Sequence, residues 1–367
     1  LNSSNPAEET NPTAHQLPQA AARNFRAFMI IWVAQLVARV GNGLTAFGLG
    51  VHVYQQTGLS ASVALVTMAA FLPGLLLGPL GGVLADRFDR RLLMIFGDTF
   101  SALGLLAMIV AFHTDFASVP VICACVTLSS VFSSVMDPAY RATVTDLLTP
   151  EQYARAGGLV QLASASQYLI SPAIAGLLMA SSGITTVLMI DIATMVLTVV
   201  CMLLVWRTVK TPPRRTTTGF WDDFRQGVRF LRQHSGITVL MALITVVTFC
   251  MGFLQTLLTP MLLDLTDEPT LGVVRSVAAV GMIVASLIIG VFNMKGAHLT
   301  YITCFLAAGG VLIFFLGTTT SILAIGVLAF AFFMTLPPLN TSVEVIARSS
   351  IPNETQGKVW GLMGLIS

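Results

Sequence analysis

The stretch Gly82-Val83-Leu84-Ala85-Asp86-Arg87-Phe88-Asp89-Arg90-Arg91 decides how this chain is read. It lies between two apolar runs, Ala61–Leu84 and Leu92–Phe112, that carry almost no charge. A short charged segment between two runs long enough to cross a bilayer is a tight loop at a membrane face. Gly81 and Gly82 have no side chain, so a neighbouring helix can approach closely there. Asp86 can accept hydrogen bonds from the free N–H groups at another helix's N-terminus. Arg87, Arg90 and Arg91 carry the charge that a cytoplasmic face favours.

Composition points the same way. Of 367 residues, 55% are hydrophobic and only 10% are charged, and the mean hydropathy is +0.83. Soluble domains carry about 25% charged residues. The chain is expected to be an all-α polytopic membrane protein, because its repeated apolar runs of about 20 residues suit helices rather than a barrel. The net charge of +2 gives no reason to expect a nucleic-acid partner, since the basic residues lie in loops that face anionic lipid. Cys123, Cys125, Cys201, Cys250 and Cys304 all fall inside apolar runs, with neither disulfide nor zinc spacing.

Residues 1–22 are polar, contain Pro6, Pro12 and Pro18, and lack the apolar core of a signal peptide; they are expected to form a disordered cytoplasmic tail. Leu1 in place of Met is consistent with a numbering that begins inside a longer product. The apolar runs that follow are Phe25–Tyr54, Ala61–Leu84, Leu92–Phe112, Val119–Met136, Leu159–Ala180, Ile184–Trp206, Ile237–Leu263, Val273–Phe292, Leu299–Leu316 and Ile322–Leu339. Lys358–Ser367 reads as the start of an eleventh. Of 19 Lys and Arg, only Arg39 and Arg275 escape the N-terminal tail and the loops after even-numbered spans. By the positive-inside bias the N-terminus and those loops are cytoplasmic, in a cell-membrane protein. The organisation expected is a tail over 1–22, a six-helix bundle over 23–206, a linker over 207–236 and a second bundle over 237–367. In the linker, Phe220, Phe224, Val228 and Leu231 recur at helical spacing with arginines elsewhere on the wheel. That pattern suits an amphipathic helix on the inner leaflet, or a hinge that only tethers the halves.

The spacing of Gly82, Leu84, Ala85, Asp86, Arg87, Arg90 and Arg91 resembles the loop between spans 2 and 3 of the major facilitator superfamily. The Asp-Arg-Phe-Asp-Arg-Arg form is similar to its efflux branch, which contains macrolide exporters and the enterobactin exporter. Asp89 stands where the superfamily commonly has glycine, so a less tight turn is expected. Asp137-Pro138-Ala139-Tyr140-Arg141 and the Ile351–Val359 segment also match that branch. Ser171-Pro172-Ala173-Ile174-Ala175-Gly176 resembles a weakened antiporter motif, with Pro172 as a kink and Gly176 allowing close packing. The resemblance implies twelve spans in two pseudo-symmetric halves, so the second half stops within span 11. It implies that Gly82, Asp86, Arg87, Arg90, Arg91 and Asp137 form a conformational gate. In it Asp137 would pair with Arg90, and Asp86 would cap span 11 near Gly357 and Lys358. The second half keeps only a vestige of the loop motif, Gly290–Gly296.

An ionisable group inside a span is costly and therefore a functional candidate. Gln35, Arg39 and Asn42 fall on one face of span 1, which should line a central cavity and bind substrate. Arg39 is read as a cation for an anionic substrate or as half of a buried ion pair. Asp98 and Asp191 are the proton-coupling candidates; Asp98 also reads as a helix-packing residue bonded to a neighbour, and Asp191 as a carboxylate partner for Arg39. Glu344 reaches the inner interface.

There is no Gly-x-x-x-x-Gly-Lys-Ser/Thr loop for ATP, no metal spacing among the histidines, and no nucleophile beside a base. An enzyme and a cofactor are not expected. The expected function is a secondary active exporter of an amphipathic small molecule such as a drug, macrolide or siderophore, working as a monomer by alternating access and proton antiport. The alternative is a non-transporting scaffold or sensor built on a decayed transporter fold.

Overall fold

The computed structural model describes residues 16–114, 116–148, 152–206, 229, 234–292 and 298–350, and no strand occurs among them. The helices are α1 (Gln16–Thr57), α2 (Ser60–Arg87), α3 (Arg90–His113), α4 (Val119–Leu147), α5 (Tyr153–Leu169), α6 (Ser171–Val205), α7 (Ser235–Leu263), α8 (Glu268–Phe292), α9 (His298–Thr318) and α10 (Ile322–Ser350). The body of the linker and residues 351–367, with the expected start of span 11, lie outside the described residues.

Nine segments among the described residues are long and apolar enough to cross a membrane. One of them, Leu162–Val205, has 44 residues. At 1.5 Å per residue it would be about 66 Å long, twice the hydrocarbon thickness of about 30 Å. It is interrupted at Gly183, whose φ of 74° only glycine adopts cheaply. So α5 with the first part of α6 makes a fifth crossing, and the remainder of α6 makes a sixth. Large side chains such as Phe71, Leu204, Phe249 and Leu323 stay exposed on the outer surface, where lipid replaces water.

The two halves repeat. In the first, α2 packs on α4, α3 on α4 and α1 on α2. In the second, α8 packs on α10, α9 on α10 and α7 on α8. The prolines obey the same symmetry. Both α4 and α10 continue about three turns beyond the ends expected at Met136 and Leu339, and each carries proline in its interior, Pro138 in α4 and Pro337 and Pro338 in α10. An interior proline costs about 3 kcal/mol in an isolated helix. Here packing offsets it: Ala139 and Tyr140 are buried just past Pro138. A Cβ on Gly81 would come within 3.0 Å of the Ser134 carbonyl oxygen and 3.3 Å of the Pro138 ring, so the missing side chain is what lets α2 lie against this bend.

At the other end of the chain, α1 begins at Gln16, inside the stretch expected to be disordered. Gln16 and Ala20–Ala22 are good helix formers, and Pro18 falls in the first turn, where its missing N–H has no intrahelical partner to lose.

The molecule has two ends. The basic end carries the α2–α3 loop; the distal end carries Gly58, Gly183 and the α7–α8 connection. A core cluster at the distal end joins both halves, with Phe47, Leu44 and Val187 of the first against Leu258, Leu271 and Phe332 of the second. A second cluster, built on Phe28, Trp32, Met94, Tyr140 and Met202, belongs to the first half alone.

Candidate functional site: a polar axis and the contacts between the halves

A line of polar side chains runs through the first half. Gln35 is buried, at 2% exposure, and Arg39 and Asn42 are half-buried. Arg39 Nη2 donates to Asp137 Oδ1 at 2.6 Å. Both residues lie 18 positions from the distal ends of their helices, about 27 Å down the bundle. The expected Arg39–Asp191 pair does not form: Arg39 is half of an ion pair with Asp137, and Asp191 is engaged by hydroxyls instead. Arg90, the partner that the resemblance implies for Asp137, starts α3 and is buried, at 3% exposure.

Asp191 instead faces α1. Its Oδ2 accepts from the Thr45 hydroxyl at 2.5 Å, and the Thr194 hydroxyl lies 3.4 Å from Oδ1. Gly41 makes this possible, because a Cβ there would stand 2.6 Å from Asp191 Oδ1. Asp98 accepts from the Thr198 hydroxyl across the α3–α6 contact. Asp191, Thr194 and Thr198 recur at three- and four-residue spacing, so one face of α6 holds both acids. Ser101 continues the polar line, bonded to Ser129 at 2.6 Å and to Ser133 at 3.0 Å on α4. Among the described residues neither Asp98 nor Asp191 has a Lys or Arg partner.

The α2–α3 loop is organised by its one unusual residue. Asp89 has φ −64° and ψ 115°, a conformation open to any residue, so no glycine is needed. Asp89 caps α3, accepting from the Arg91 backbone N–H at 3.0 Å and from the Arg91 guanidinium at 2.5 Å. These bonds from Arg91 hold the Asp89 carboxyl below its usual range. Arg91 lies over the Trp206 ring at 4.4 Å and donates to the Trp206 carbonyl at 2.5 Å, which ties the loop to the end of α6. The side chains of Asp86, Arg87 and Glu344, the surroundings of Gly82, and the expected partners Gly357 and Lys358 lie outside the described residues.

The halves meet through groups the sequence reading did not single out. At the distal end, the Tyr54 hydroxyl donates to Asp264 at 2.7 Å, and the Gln55 amide donates to Glu268. The signal was present in an acidic cluster, Asp264, Asp267 and Glu268, in a chain with few charges. Asp267 caps α8, accepting from the Thr270 N–H at 3.2 Å.

Just below, the segment Ser171–Gly176 crosses α8. A Cβ on Gly176 would stand 2.5 Å from the Glu268 carbonyl oxygen, and one on Gly272 would strike the Pro172 carbonyl. Pro172 stands in the first turn of α6, just past the interruption at Ile170, where its missing N–H leaves no intrahelical bond to lose. Ser171, which stands for a glycine in the resembling motif, is accommodated from the other side. Its hydroxyl donates to the Val40 carbonyl at 2.9 Å, and Gly43 of α1 leaves the space it fills.

This architecture has known counterparts. Residues 31–367 match the family model for the Major Facilitator Superfamily, and the chain belongs to that family. Macrolide efflux protein A of Streptococcus pyogenes is 27% identical over 282 residues, which cover 75% of this chain and 69% of that protein. The multidrug efflux pump Tap of Mycolicibacterium fortuitum is 24% identical over 356 residues, covering 92% and 85%. The crystal structure of the nucleoside transporter NupG superposes with a TM-score of 0.68 at 12% identity, over 93% of this chain and 86% of that one, a likeness of fold. The protein is therefore a multi-pass membrane transporter of small molecules and not an enzyme.

Proposed function

We propose that the protein is a secondary active exporter that moves an amphipathic small molecule out of the cell by alternating access, coupled to inward proton movement. The observation that carries this reading is the union of the two halves at the distal end. With the basic end cytoplasmic, as the Lys and Arg distribution argues, the distal end is the outer one and the pose is closed to the outside. The residues that hold it suit a gate. Hydrogen bonds at exposed groups contribute about 1 kcal/mol each. Two such bonds can be made and broken within a conformational balance of a few kcal/mol. The glycines at positions 176 and 272 let backbones touch, so the halves can pivot there with no side chain to extract.

Asp98 and Asp191 supply the proton route in this reading, because each carboxyl has a hydroxyl partner rather than a fixed cation. Arg39 and Asp137 brace spans 1 and 4 near the inner mouth, while Gln35 and Asn42 line the path. The gate role of Gly82, Asp86, Arg87, Arg90 and Arg91 is part of the same proposal: they would hold the inner mouth shut in the opposite pose. Moving one charge through 100 mV supplies about 2.3 kcal/mol, a concentrating power of about fifty-fold. The efflux names of the relatives support export, and the cell membrane, a cytoplasmic N-terminus and a monomer are the setting expected.

The test is accumulation of a fluorescent dye and of a macrolide in cells with and without the protein, before and after a protonophore. Lower accumulation that the protonophore abolishes is expected. Equal accumulation under all conditions removes the exporter, and export that survives the protonophore removes proton coupling.

A further inference from the structure

Two arginines lie within the spans, and the fold treats them differently. Arg39 has the Asp137 carboxylate. Arg275 has none. It sits seven residues into α8, about 10 Å below the distal connection. Its Nη2 donates to the Gln255 backbone carbonyl at 2.5 Å, and its guanidinium carbon lies 5.7 Å from the centre of the Phe47 ring. A guanidinium has five N–H donors, so four are left without an acceptor among the described residues. No Asp or Glu among the described residues lies within ion-pair distance of Arg275.

Arg275 lines a cavity of about 60 Å³ between the halves. Tyr168 and Pro172 of the first half line it, with Gln255, Leu258 and Phe333 of the second. None of its lining residues is acidic. A cation held among apolar walls with most of its donors idle is costly unless something pairs with it. A planar oxyanion matches a guanidinium fork, and the apolar walls match a greasy body. The volume is enough for a head group of a few atoms and too small for a whole amphipath. The body would then extend along the seam between the halves.

We propose that Arg275 is the head-group site for an amphipathic monoanion, a carboxylate on an apolar body. As a statement about cargo this rests on the exporter reading; as a statement about binding it stands alone. Because Phe47, Tyr168 and Pro172 come from one half and Arg275 from the other, a ligand held here touches both halves near the pivot.

The test is binding of 11-(dansylamino)undecanoate and of its methyl ester to the complete protein in phosphatidylcholine nanodiscs, with empty nanodiscs subtracted. The unmodified protein should bind the acid at least tenfold more tightly than the ester. Arg275→Gln should bring the two within about twofold, and Arg275→Lys should keep most of the preference, with thermal unfolding confirming that each variant is folded. Equal binding of acid and ester by the unmodified protein overturns the proposal, and so does an acid preference that survives Arg275→Gln. Equal binding is also the result expected if Arg275 only braces the α7 backbone or if lipid phosphate fills the site. If neither variant folds, the acid-over-ester ratio of the unmodified protein decides. An acid preference that persists while protonophore-sensitive export is absent leaves the site standing and removes the exporter reading.

Discussion

Asp89 shows how one side chain replaces the backbone freedom of a glycine. It caps α3 and pairs with Arg91, which in turn holds Trp206. Losing a cap costs about 1 kcal/mol. Asp89→Ala should therefore lower the thermal midpoint measurably, while Asp89→Asn, which keeps a cap oxygen, should lower it less. The Asp89 carboxyl is depressed in the folded protein by its bonds from Arg91. A depressed acid contributes stability above its unfolded value, about pH 4, and loses it as pH falls through the folded value. The gap between the unmodified protein and Asp89→Ala should thus be present at pH 7 and close on acidification below about pH 4. Arg39 and Asp137 form a half-exposed pair, for which a double-mutant cycle should return a coupling of about 0.5–1 kcal/mol. A coupling near zero would show that the two side chains do not act together.

At the scale of elements, the crossing of Ser171–Gly176 over α8 is the contact most sensitive to a single atom. Gly272→Val puts carbon where the Pro172 carbonyl now lies. The expected outcome is a distal end that no longer closes. Cysteines placed at Tyr54 and Asp264 should crosslink readily in the parent and poorly with Gly272→Val added. Equal crosslinking would show that the close approach is not needed for closure. The elements themselves were largely legible in the sequence, since a run of apolar residues marks a span wherever it packs. Their ends were less so. The expected spans stopped at Met136, two residues before Pro138, and at Leu339, where the apolar runs give out. What carries α4 onward is the burial of Ala139 and Tyr140 against other helices, and a single segment's sequence does not contain its neighbours.

For the whole molecule, the distal contacts and the buried acids should be separable. Tyr54→Phe together with Glu268→Gln weakens closure without touching Asp98 or Asp191. Spin labels across the distal end should then report a larger open population. Asp191→Asn and Asp98→Asn keep an oxygen for Thr45 and Thr198 but cannot carry a proton. Under the exporter reading, at least one should abolish the dependence of export on the pH gradient in everted vesicles while leaving substrate binding within about threefold. If both keep full pH dependence, the proton passes elsewhere.

The sequence by itself determined that this chain crosses a membrane many times, where most crossings lie, and which superfamily it belongs to. Hydropathy over about 20 residues and a ten-residue loop are local properties, readable without a partner. It also placed Gln35, Arg39, Asn42, Asp98 and Asp191 within spans. Only the tertiary structure decided what these and Arg275 meet: Asp137 for Arg39, Thr45 for Asp191, Thr198 for Asp98, and no acid among the described residues for Arg275. The reason is geometric. Counting residues gives depth along a helix, but the turn of a helix about its axis and the identity of its neighbour are set by how all the helices pack together.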